Sequence, residues 1–203
     1  MLERAEAALG PIDILVNNAG IEHISPFVEL TADDLATMVH VNLTAPMVLT
    51  RAVLGGMLAR GRGHVVFVSS MAGKVGLAYG EPYAATKGGL ILLTQSLRAE
   101  FAGEPVGFSA VCPGFVTGDG MFERIRSTGV DTNRLLGSTT TDKVAKAVVT
   151  AIERDRVEVL VNSTPTRPLY ALAQLAPKLT ARIIDRTGAN AIFHRVAMDR
   201  AGN

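Results

Sequence analysis

The sequence predicts an α/β fold built on a parallel β-sheet. Short apolar runs rich in β-branched residues alternate with longer segments whose apolar residues recur at helical spacing. The helical segments have about twelve residues or more, which is the length that a connection between parallel strands requires. Turn-forming residues, such as Asn17, Gly20 and the pair Pro113 and Gly114, end the apolar runs.

The first predicted strand is the apolar run 12–16, and a long helical pattern follows it. Thr31 and Asp34 have the spacing of a capping box, in which a hydroxyl and an acid three residues later cap a helix N-terminus. Pro46 lies inside the helical pattern and has no amide hydrogen to donate to the carbonyl of Asn42. We therefore expect a kink in this helix near Asn42.

Three further strands and two further helices complete the predicted sheet domain. The strands are expected at 64–68, 106–111 and 157–161, and the helices at 83–102 and 141–154. Crossovers between parallel strands are right-handed, so the helices that follow the first two strands should lie on the same face of the sheet.

The chain divides near residue 163 into a domain, 1–163, and a helical C-terminal extension, 164–203. The extension is basic, helix-prone and interrupted by prolines. Its apolar stripe favours packing on its own domain or on a partner subunit, and contact with a membrane surface is the alternative. The stripe consists of Leu172, Leu175, Leu179 and Ile183.

The composition is that of a globular protein, with 48% hydrophobic and 19% charged residues. A net charge of +1 gives no reason to expect nucleic acid as a partner. The single cysteine, Cys112, excludes an internal disulfide and a cysteine-based metal cluster, and we expect no metal site. No apolar run reaches the roughly 18 residues of a membrane span, so we expect a cytoplasmic protein.

Polar or glycine-rich clusters follow three of the predicted strands. These clusters are residues 17–20, the pair Ser69 and Ser70, and the pair Pro113 and Gly114. Ligands of open parallel sheets bind beyond the carboxyl ends of the strands, so all three clusters should line one crevice.

Tyr83 and Lys87 are four residues apart at the start of a predicted helix and therefore lie on one face of it. A nearby ammonium favours phenolate and lowers the phenol pKa from its usual value of about 10, as a proton-transferring tyrosine needs. Alone, this pair is a weak signal, because such pairs occur on many surface helices. Ser70, at a strand end 13 residues earlier, strengthens it, since its hydroxyl would polarise a substrate carbonyl.

Taken in order along the chain, these motifs resemble the signature of the short-chain dehydrogenase/reductase family over about residues 1–162. They are Asn17-Asn18-Ala19-Gly20, Asn42, Ser70, Tyr83-x-x-x-Lys87 and Pro113-Gly114. The resemblance implies a Rossmann-like, doubly wound parallel sheet. Members of the family have a strand, a glycine-rich turn and two more strands before the N-N-A-G motif. We therefore interpret the chain as an N-terminally truncated member that lacks the first three strands.

The resemblance also implies catalytic roles for four residues. Tyr83 would be the general acid in carbonyl reduction and the base in alcohol oxidation. Lys87 would lower the phenol pKa and bind the nicotinamide ribose, and Ser70 would orient the substrate oxygen. Asn42 would hold a water molecule that links Lys87 to solvent.

The cofactor implied by the resemblance is NAD or NADP. No glycine-rich phosphate turn is found in the sequence, so the choice between the two stays open, and we expect cofactor binding and activity to be impaired by the loss of this segment. The family has a threonine two residues after Val116, where this chain has Gly118, which leaves the expected carboxamide contact in doubt. The expected cofactor contacts are Asn17, Ala19, Gly20, Tyr83, Lys87, Pro113, Gly114 and Val116.

The loop from about Gly118 to Thr140 is predicted to cover an apolar pocket with Met121 and Phe122, and Tyr79 to form part of its wall. The expected activity is NAD(P)-dependent interconversion of an alcohol and a carbonyl on a hydrophobic substrate such as a lipid, steroid or retinoid-like carbonyl. The alternatives are a cofactor-free, non-catalytic interaction protein and, less favoured, a family member that catalyses epimerisation or dehydration.

The helix that starts at Tyr83 resembles the dimer-forming helix of the family, so a homo-oligomer is expected. Gly88 and Gly89 on this helix would permit close approach of a second copy. Packing of the helix on its own sheet is the simpler interpretation.

Overall fold

The computed structural model describes residues 1–118, 120–126, 129 and 136–201. Its main sheet has four parallel strands in the order β1-β2-β3-β6. A small parallel pair, β4 and β5, which the sequence did not predict, lies beside it. The strands are β1 (Ile14–Asn17), β2 (Gly63–Val68), β3 (Val106–Pro113), β4 (Val116–Thr117), β5 (Thr139–Thr140) and β6 (Glu158–Val161).

Most helices lie where helical periodicity predicted them, with bounds shifted by a few residues, but the helix Met121–Arg126 lies inside the segment 118–140 that was predicted as a loop. Two short 3₁₀ turns, Phe27–Glu29 and Met71–Gly73, follow β1 and β2. The helices are α1 (Leu2–Leu9), α2 (Ala32–Val39), α3 (Ala45–Arg60), α4 (Glu81–Glu100), α5 (Met121–Arg126), α6 (Thr141–Glu153), α7 (Arg167–Leu175), α8 (Pro177–Arg186) and α9 (Ala189–Ala201).

Helices cover both faces of the main sheet, as the doubly wound architecture requires. Alternate strand residues point to opposite faces, so Phe67 of β2 packs in one cluster with Met57 of α3 and Leu90 of α4. Val66, the next residue back, packs on Ala151 of α6 on the other face. The prediction that α3 and α4 share a face is therefore confirmed.

The segment between α2 and α3 shows both predicted local features. Thr31 and Asp34 form the capping box: Thr31 Oγ1 accepts from the Asp34 amide at 3.1 Å, and the Asp34 carboxylate accepts from the Thr31 amide at 3.0 Å. The expected kink is a π-helical turn over His40–Thr44, with Asn42 fully buried inside it. A π turn adds one residue to the local ring, which accommodates the missing donor of Pro46.

The continuous helical stretch Ala32–Arg60 is long and apolar enough to span a membrane, with a mean hydropathy of 1.3 over its most apolar window. The sequence analysis did not find this stretch, because it looked for an unbroken apolar run and not for a helix of high mean hydropathy. Val53 and Met57 of the stretch pack against β2 in the core. Because core helices of globular domains meet the same length and composition criterion, this stretch is weak support for a membrane span.

The C-terminal extension folds into α7, α8 and α9 and packs on the domain mainly through α9. Phe193 of α9 is buried in a cluster with Phe122 of α5. The predicted apolar stripe is interrupted, because α7 ends at Leu175 and α8 begins at Pro177. Leu175 is 85% exposed and Leu179 is 48% exposed, so the stripe is not the packing face that was expected.

Strand β1 lies at one edge of the main sheet, as expected for the first apolar run. It pairs with β2 on one side, and among the described residues no strand pairs with its other side. Ile14 is 52% exposed and Val16 is 40% exposed. Such an apolar edge is prone to pairing with another chain.

Candidate active site

The carboxyl ends of the parallel strands bring the predicted site residues to one edge of the sheet. Asn17 ends β1, Val68 ends β2 and Pro113 ends β3, and these strands are neighbours in register. Ser69 and Ser70 follow β2 directly. The three clusters therefore meet in one crevice, as the sequence predicted.

Ser70 leaves β2 in extended backbone geometry and begins the 3₁₀ turn that leads towards α4. Its Oγ accepts a hydrogen bond from the Ala72 amide at 3.1 Å, which fixes the side chain. The same hydroxyl lies close enough to the phenol of Tyr83 to lower the pKa of that phenol. The hydroxyl and the phenol thus face each other, and a carbonyl oxygen placed between them would meet two hydrogen-bond donors.

The side chain of Lys87 lies next to Tyr83. Its Nζ lies 5.6 Å from the centre of the Tyr83 ring and donates to the carbonyl oxygen of Val68 at 2.9 Å. The side chain is almost fully buried, and this burial lowers the pKa of Lys87 to about 8, although the nearby Cys112 and Glu22 act in the opposite direction. The ammonium is therefore charged at neutral pH and titrates in mildly alkaline solution.

The expectation that Lys87 depresses the phenol pKa is not met in this structure. Burial of the phenol is the largest influence and raises the pKa of Tyr83 above that of a free tyrosine. The carboxylate of Glu22 raises it further, and the nearby Ser70 hydroxyl lowers it only in part. Although Tyr83 as a residue is only half-buried, its hydroxyl lies at the enclosed end of the side chain, so the phenol is neutral at neutral pH.

Glu22 belongs electrostatically to the site, and the sequence analysis missed it. Its carboxylate acts on both Tyr83 and Lys87. The signal available in the sequence was its place two residues after Gly20, at the end of the loop that leaves β1. An acid this close to a catalytic pair sets the pH range over which both members titrate.

Asn42 contacts the loop after β1 rather than the crevice itself. Its Nδ2 donates to the carbonyl of Ile21 at 2.8 Å and to Thr86 Oγ1 at 3.2 Å, and its Oδ1 accepts from the Ile21 amide at 2.8 Å. Gly20 lies between Asn42 and Lys87, because a Cβ at this position would be 3.2 Å from Lys87 Nζ and 3.3 Å from Asn42 Oδ1. A larger residue in place of Gly20 would therefore press on both.

A second glycine contact sets the distance between the Ser70 turn and α4. A Cβ on Gly73 would lie 2.6 Å from the carbonyl carbon of Lys87, and Gly88 faces Gly73 from the helix side. A Cβ on Gly89 would lie 3.1 Å from the side chain of Leu43. Both glycines of α4 thus serve packing inside the domain, so they do not support the expected approach of a second subunit.

The crevice can hold the nicotinamide end of a dinucleotide. Asn17 is buried, and its Nδ2 donates to Thr50 Oγ1 at 3.3 Å, while its Oδ1 has no protein partner in the described part of the chain. Asn162 Oδ1 is likewise buried without a partner there, and a Cβ on Gly114 would lie 2.8 Å from it. Two buried, unsatisfied acceptor oxygens suit the hydroxyl and amide donors of a nicotinamide riboside.

Two further predicted cofactor contacts, Ala19 and Val116, have no feature in the structure that points to a cofactor. Ala19 is exposed in the loop after β1. Val116 pairs with Thr139 in the small sheet, and Thr117 Oγ1 donates to the Thr139 carbonyl at 3.1 Å. The Thr117 hydroxyl hydrogen is therefore engaged within the protein, which agrees with the doubt raised by Gly118 about a threonine contact to the carboxamide.

The predicted substrate residues lie in an aromatic cluster beneath α9. Phe122 is buried with its ring centre 4.7 Å from that of Phe115, which follows Gly114 directly. Tyr79 packs at the edge of the same cluster, and its ring meets His194 of α9 edge-on at 5.4 Å. Met121 is half-buried at the start of α5. Of the predicted cover over this region, residues 119, 127–128 and 130–135 lie outside the described residues.

Comparison with known proteins identifies the family to which this fold and these residues are similar. The family model described as short chain dehydrogenase matches residues 1–129. The chain is 39% identical over 188 residues to the ketoacyl reductase HetN of Nostoc sp., covering 90% of the chain and 64% of that protein. It is 33% identical to the granaticin polyketide synthase putative ketoacyl reductase 1 of Streptomyces violaceoruber, covering 88% of the chain and 64% of that protein.

A solved structure described as a metagenomic short-chain oxidoreductase in complex with NADP superimposes with a TM-score of 0.64 at 34% identity. The match covers 81% of this chain and 68% of that protein. The chain thus spans less than two thirds of the length of the two curated reductases that it matches. Among the described residues, no group of three or more His, Cys, Asp or Glu side chains is placed to hold a metal ion.

Proposed function

This chain belongs to the short chain dehydrogenase family, and we propose that it carries the catalytic group of an NAD(P)-dependent reductase acting on an apolar carbonyl substrate. The observation that carries the proposal is that the Ser70 hydroxyl lies close to the Tyr83 phenol, with Lys87 Nζ 5.6 Å from the ring. This is the arrangement that proton transfer to a carbonyl oxygen needs.

In the proposed reaction, the substrate oxygen sits between Ser70 and Tyr83. The Ser70 hydroxyl donates to this oxygen and polarises the carbonyl, and the Tyr83 phenol gives its proton as negative charge develops. Because the pKa of Tyr83 is raised, the phenol holds its proton at neutral pH, which favours the direction of reduction. The charged Lys87 then stabilises the phenolate that proton donation leaves behind.

The nicotinamide ring, when bound, supplies or accepts the hydride at the carbinol carbon. Gly20 and Gly114 leave room for it, and Lys87 together with the acceptor oxygens of Asn17 and Asn162 would hold its riboside. The NADP in the solved relative makes NADP the first cofactor to test, with NAD beside it.

The substrate proposed is a ketoacyl chain or a similarly apolar ketone. Phe115, which follows Gly114 directly, is half-buried, and the buried Phe122 and Phe193 pack against its ring at 4.7 Å and 6.2 Å. An apolar wall of this kind selects long hydrocarbon groups over small polar ones. The names of the two ketoacyl reductases agree with this choice.

We also propose that α4 contributes to a homo-oligomer. Leu92, on its outer side, is 64% exposed, which is unusual for a leucine in the middle of a long helix. Replacing Leu92 with arginine should lower the mass measured by sedimentation equilibrium. An unchanged mass for the variant, or a monomeric wild type, would contradict an α4 interface.

The activity is tested by following NADPH and NADH consumption with a ketoacyl thioester and a panel of long-chain and short ketones. Wild type should oxidise the cofactor with the long-chain substrates, and Tyr83→Phe should reduce the rate at least about a hundredfold, since general acid catalysis contributes this much or more. Tyr170→Phe is the matched control, because Tyr170 is also buried but lies in α7. Its rate should stay near that of wild type.

A wild-type protein that neither binds nor oxidises either cofactor would overturn the proposal and favour the non-catalytic interaction protein. Activity that survives in Tyr83→Phe would instead retain a redox enzyme and reject Tyr83 as its acid. Measuring cofactor binding by fluorescence separately from turnover distinguishes these two results.

A further inference from the structure

Helix α8 presents a cationic side to solvent. Thr180 and Ile184, one turn apart, are buried against the rest of the extension. Lys178, Arg182 and Arg186 recur every four residues on the opposite side and are all exposed. The helix is therefore amphipathic. Its buried side packs on the protein, and its cationic side faces solvent.

Two exposed leucines flank these cations. Leu175, the last residue of α7, is 85% exposed, and Leu179, at the start of α8, is 48% exposed. Both leucines therefore expose apolar surface close in sequence to the cations of α8. We define the α8 outer face as Lys178, Arg182 and Arg186 together with Leu175 and Leu179.

The charge of this region differs in sign from that of the domain. Residues 164–203 contain six Lys and Arg against two Asp, whereas residues 1–163 have a net charge of −3. None of the ion pairs found in the described part of the chain involves Lys178, Arg182 or Arg186. One acid, Asp185, is exposed on the same helix, so cations outnumber acids three to one.

We propose that the α8 outer face docks on the surface of an anionic lipid bilayer. At such a surface, cations bind the negative headgroups while neighbouring leucines enter the boundary between headgroups and acyl chains. The α8 outer face supplies both kinds of exposed side chain, the three cations and Leu179 from α8 and Leu175 from the end of α7. A single-stranded nucleic acid would use the cations but not the leucines, and α8 carries no aromatic residue on which a base could stack.

Docking does not depend on the redox chemistry, so the test uses no substrate or cofactor. The full chain is sedimented with vesicles of phosphatidylcholine alone and with vesicles of equal parts phosphatidylcholine and phosphatidylglycerol. We expect the protein to bind the mixed vesicles at least roughly tenfold more strongly than the neutral ones, and high salt to weaken this binding.

Charge and apolar contributions are separated with two double variants. Lys178→Glu with Arg182→Glu should reduce binding to the anionic vesicles roughly tenfold or more. Lys143→Glu with Lys146→Glu is the matched control, since these exposed lysines lie on α6, and it should bind as wild type. Leu175→Ser with Leu179→Ser should reduce binding several-fold, whereas Leu9→Ser with Val149→Ser, of similar exposure, should not.

Because all these positions are exposed, the variants should fold, and circular dichroism checks that they do. Equal binding to both kinds of vesicle, or none to either, would overturn the proposal. So would anionic binding that both control pairs lose to the same extent as the α8 variants. Binding to heparin that the leucine variant retains, without binding to vesicles, would assign the face to a soluble polyanion instead and also reject the bilayer.

Discussion

The side chain of Asn42 and the backbone of Ile21 are joined by two hydrogen bonds, each 2.8 Å long. The amide nitrogen of Asn42 donates to the Ile21 carbonyl, and its oxygen accepts from the Ile21 amide. The Asn42 side chain thus makes the two backbone hydrogen bonds that a neighbouring strand would otherwise make to the loop after β1. Because Ile21 lies between Gly20 and Glu22, this pair of bonds holds the loop against the catalytic group.

Replacing Asn42 with alanine should destabilise the protein by about 2–4 kcal/mol. The change leaves a backbone donor and acceptor of Ile21 without partners, and each unsatisfied buried group costs about 1–3 kcal/mol. Urea unfolding measures the change in the free energy of unfolding. Asn18→Ala, at an exposed position in the same loop, should change it by less than about 0.5 kcal/mol. Equal effects of the two substitutions would show that the hydrogen bonds from Asn42 to Ile21 do not stabilise the loop.

Lys87→Met should stabilise the fold while abolishing hydride transfer. Burial lowers the pKa of Lys87 from 10.5 to about 8, which corresponds to a cost of about 3 kcal/mol for the buried charge at neutral pH. The substitution removes this cost and loses one hydrogen bond to Val68, worth about 1 kcal/mol. We therefore expect the free energy of unfolding to rise by about 1–2 kcal/mol.

Lys74→Met is the contrasting variant for this measurement. Lys74 Nζ pairs with the Glu158 carboxylate at 2.8 Å, and both side chains are partly buried. Removing this lysine leaves the carboxylate without its cation, so the free energy of unfolding should fall. If Lys87→Met were destabilised as much as Lys74→Met, the prediction would be wrong, and the main role of Lys87 would be to stabilise the fold.

The rate of carbonyl reduction should fall as the pH rises through about 8. Lys87, with its pKa of about 8, loses its charge in this range and can no longer stabilise phenolate, while Tyr83 keeps its proton to higher pH. Glu22 raises the pKa of both groups, so Glu22→Gln should move the alkaline limb of the pH–rate profile to lower pH. Glu100→Gln, at the far end of α4, should leave the limb in place. A limb unmoved in Glu22→Gln would exclude this carboxylate from the site.

The protein should lose stability as the pH falls through about 6.5, the ordinary histidine value. His64 is buried, and this burial lowers its pKa. Asp155 acts in the opposite direction, and Arg98 in the same direction as burial. The folded state therefore takes up a proton less readily than the unfolded chain, and acid favours unfolding.

The hydrogen bonds of His64 show which variant tests this. Ser109 Oγ donates to the Arg156 carbonyl at 2.6 Å, so His64 Nε2, 2.8 Å from Ser109 Oγ, must be the donor in that contact. His64→Gln keeps a donor amide near this position but cannot be protonated. Its free energy of unfolding should vary less with pH between about 5 and 7 than that of wild type or of His40→Gln. Parallel curves for all three proteins would disprove the assignment to His64.

The strands and helices could be predicted from local signals because each is encoded by its own residues. The apolar run ending at Asn17, the capping box at Thr31 and the proline after Asn42 each determine a feature that the structure contains. The crevice was predictable for a related reason. Once the strands are parallel, residues at their carboxyl ends, such as Ser70 and Pro113, must lie at the same edge.

Features that depend on surroundings distant in sequence could not be predicted in this way. The spacing of Tyr83 and Lys87 indicates that a cation lies close to the phenol, but the pKa of Tyr83 is set mainly by its burial under the whole fold. Glu22 was missed because its effect on the pair arises from the loop geometry after β1. Leu175 and Leu179 fit an apolar stripe in the sequence, yet the break at Pro177 exposes both.

The contact between Gly73 and Gly88 has a consequence for how this sequence can vary. With no side chain on either residue, the turn carrying Ser70 rests directly on the backbone of the helix carrying Tyr83 and Lys87. A single methyl group at Gly73 would push the Ser70 turn away from α4. It would thus widen the gap between Ser70 and Tyr83 in which the substrate oxygen must fit. Gly73 therefore tolerates little change although it is not one of the reacting groups, and Gly88 opposite it is restricted by the same backbone contact.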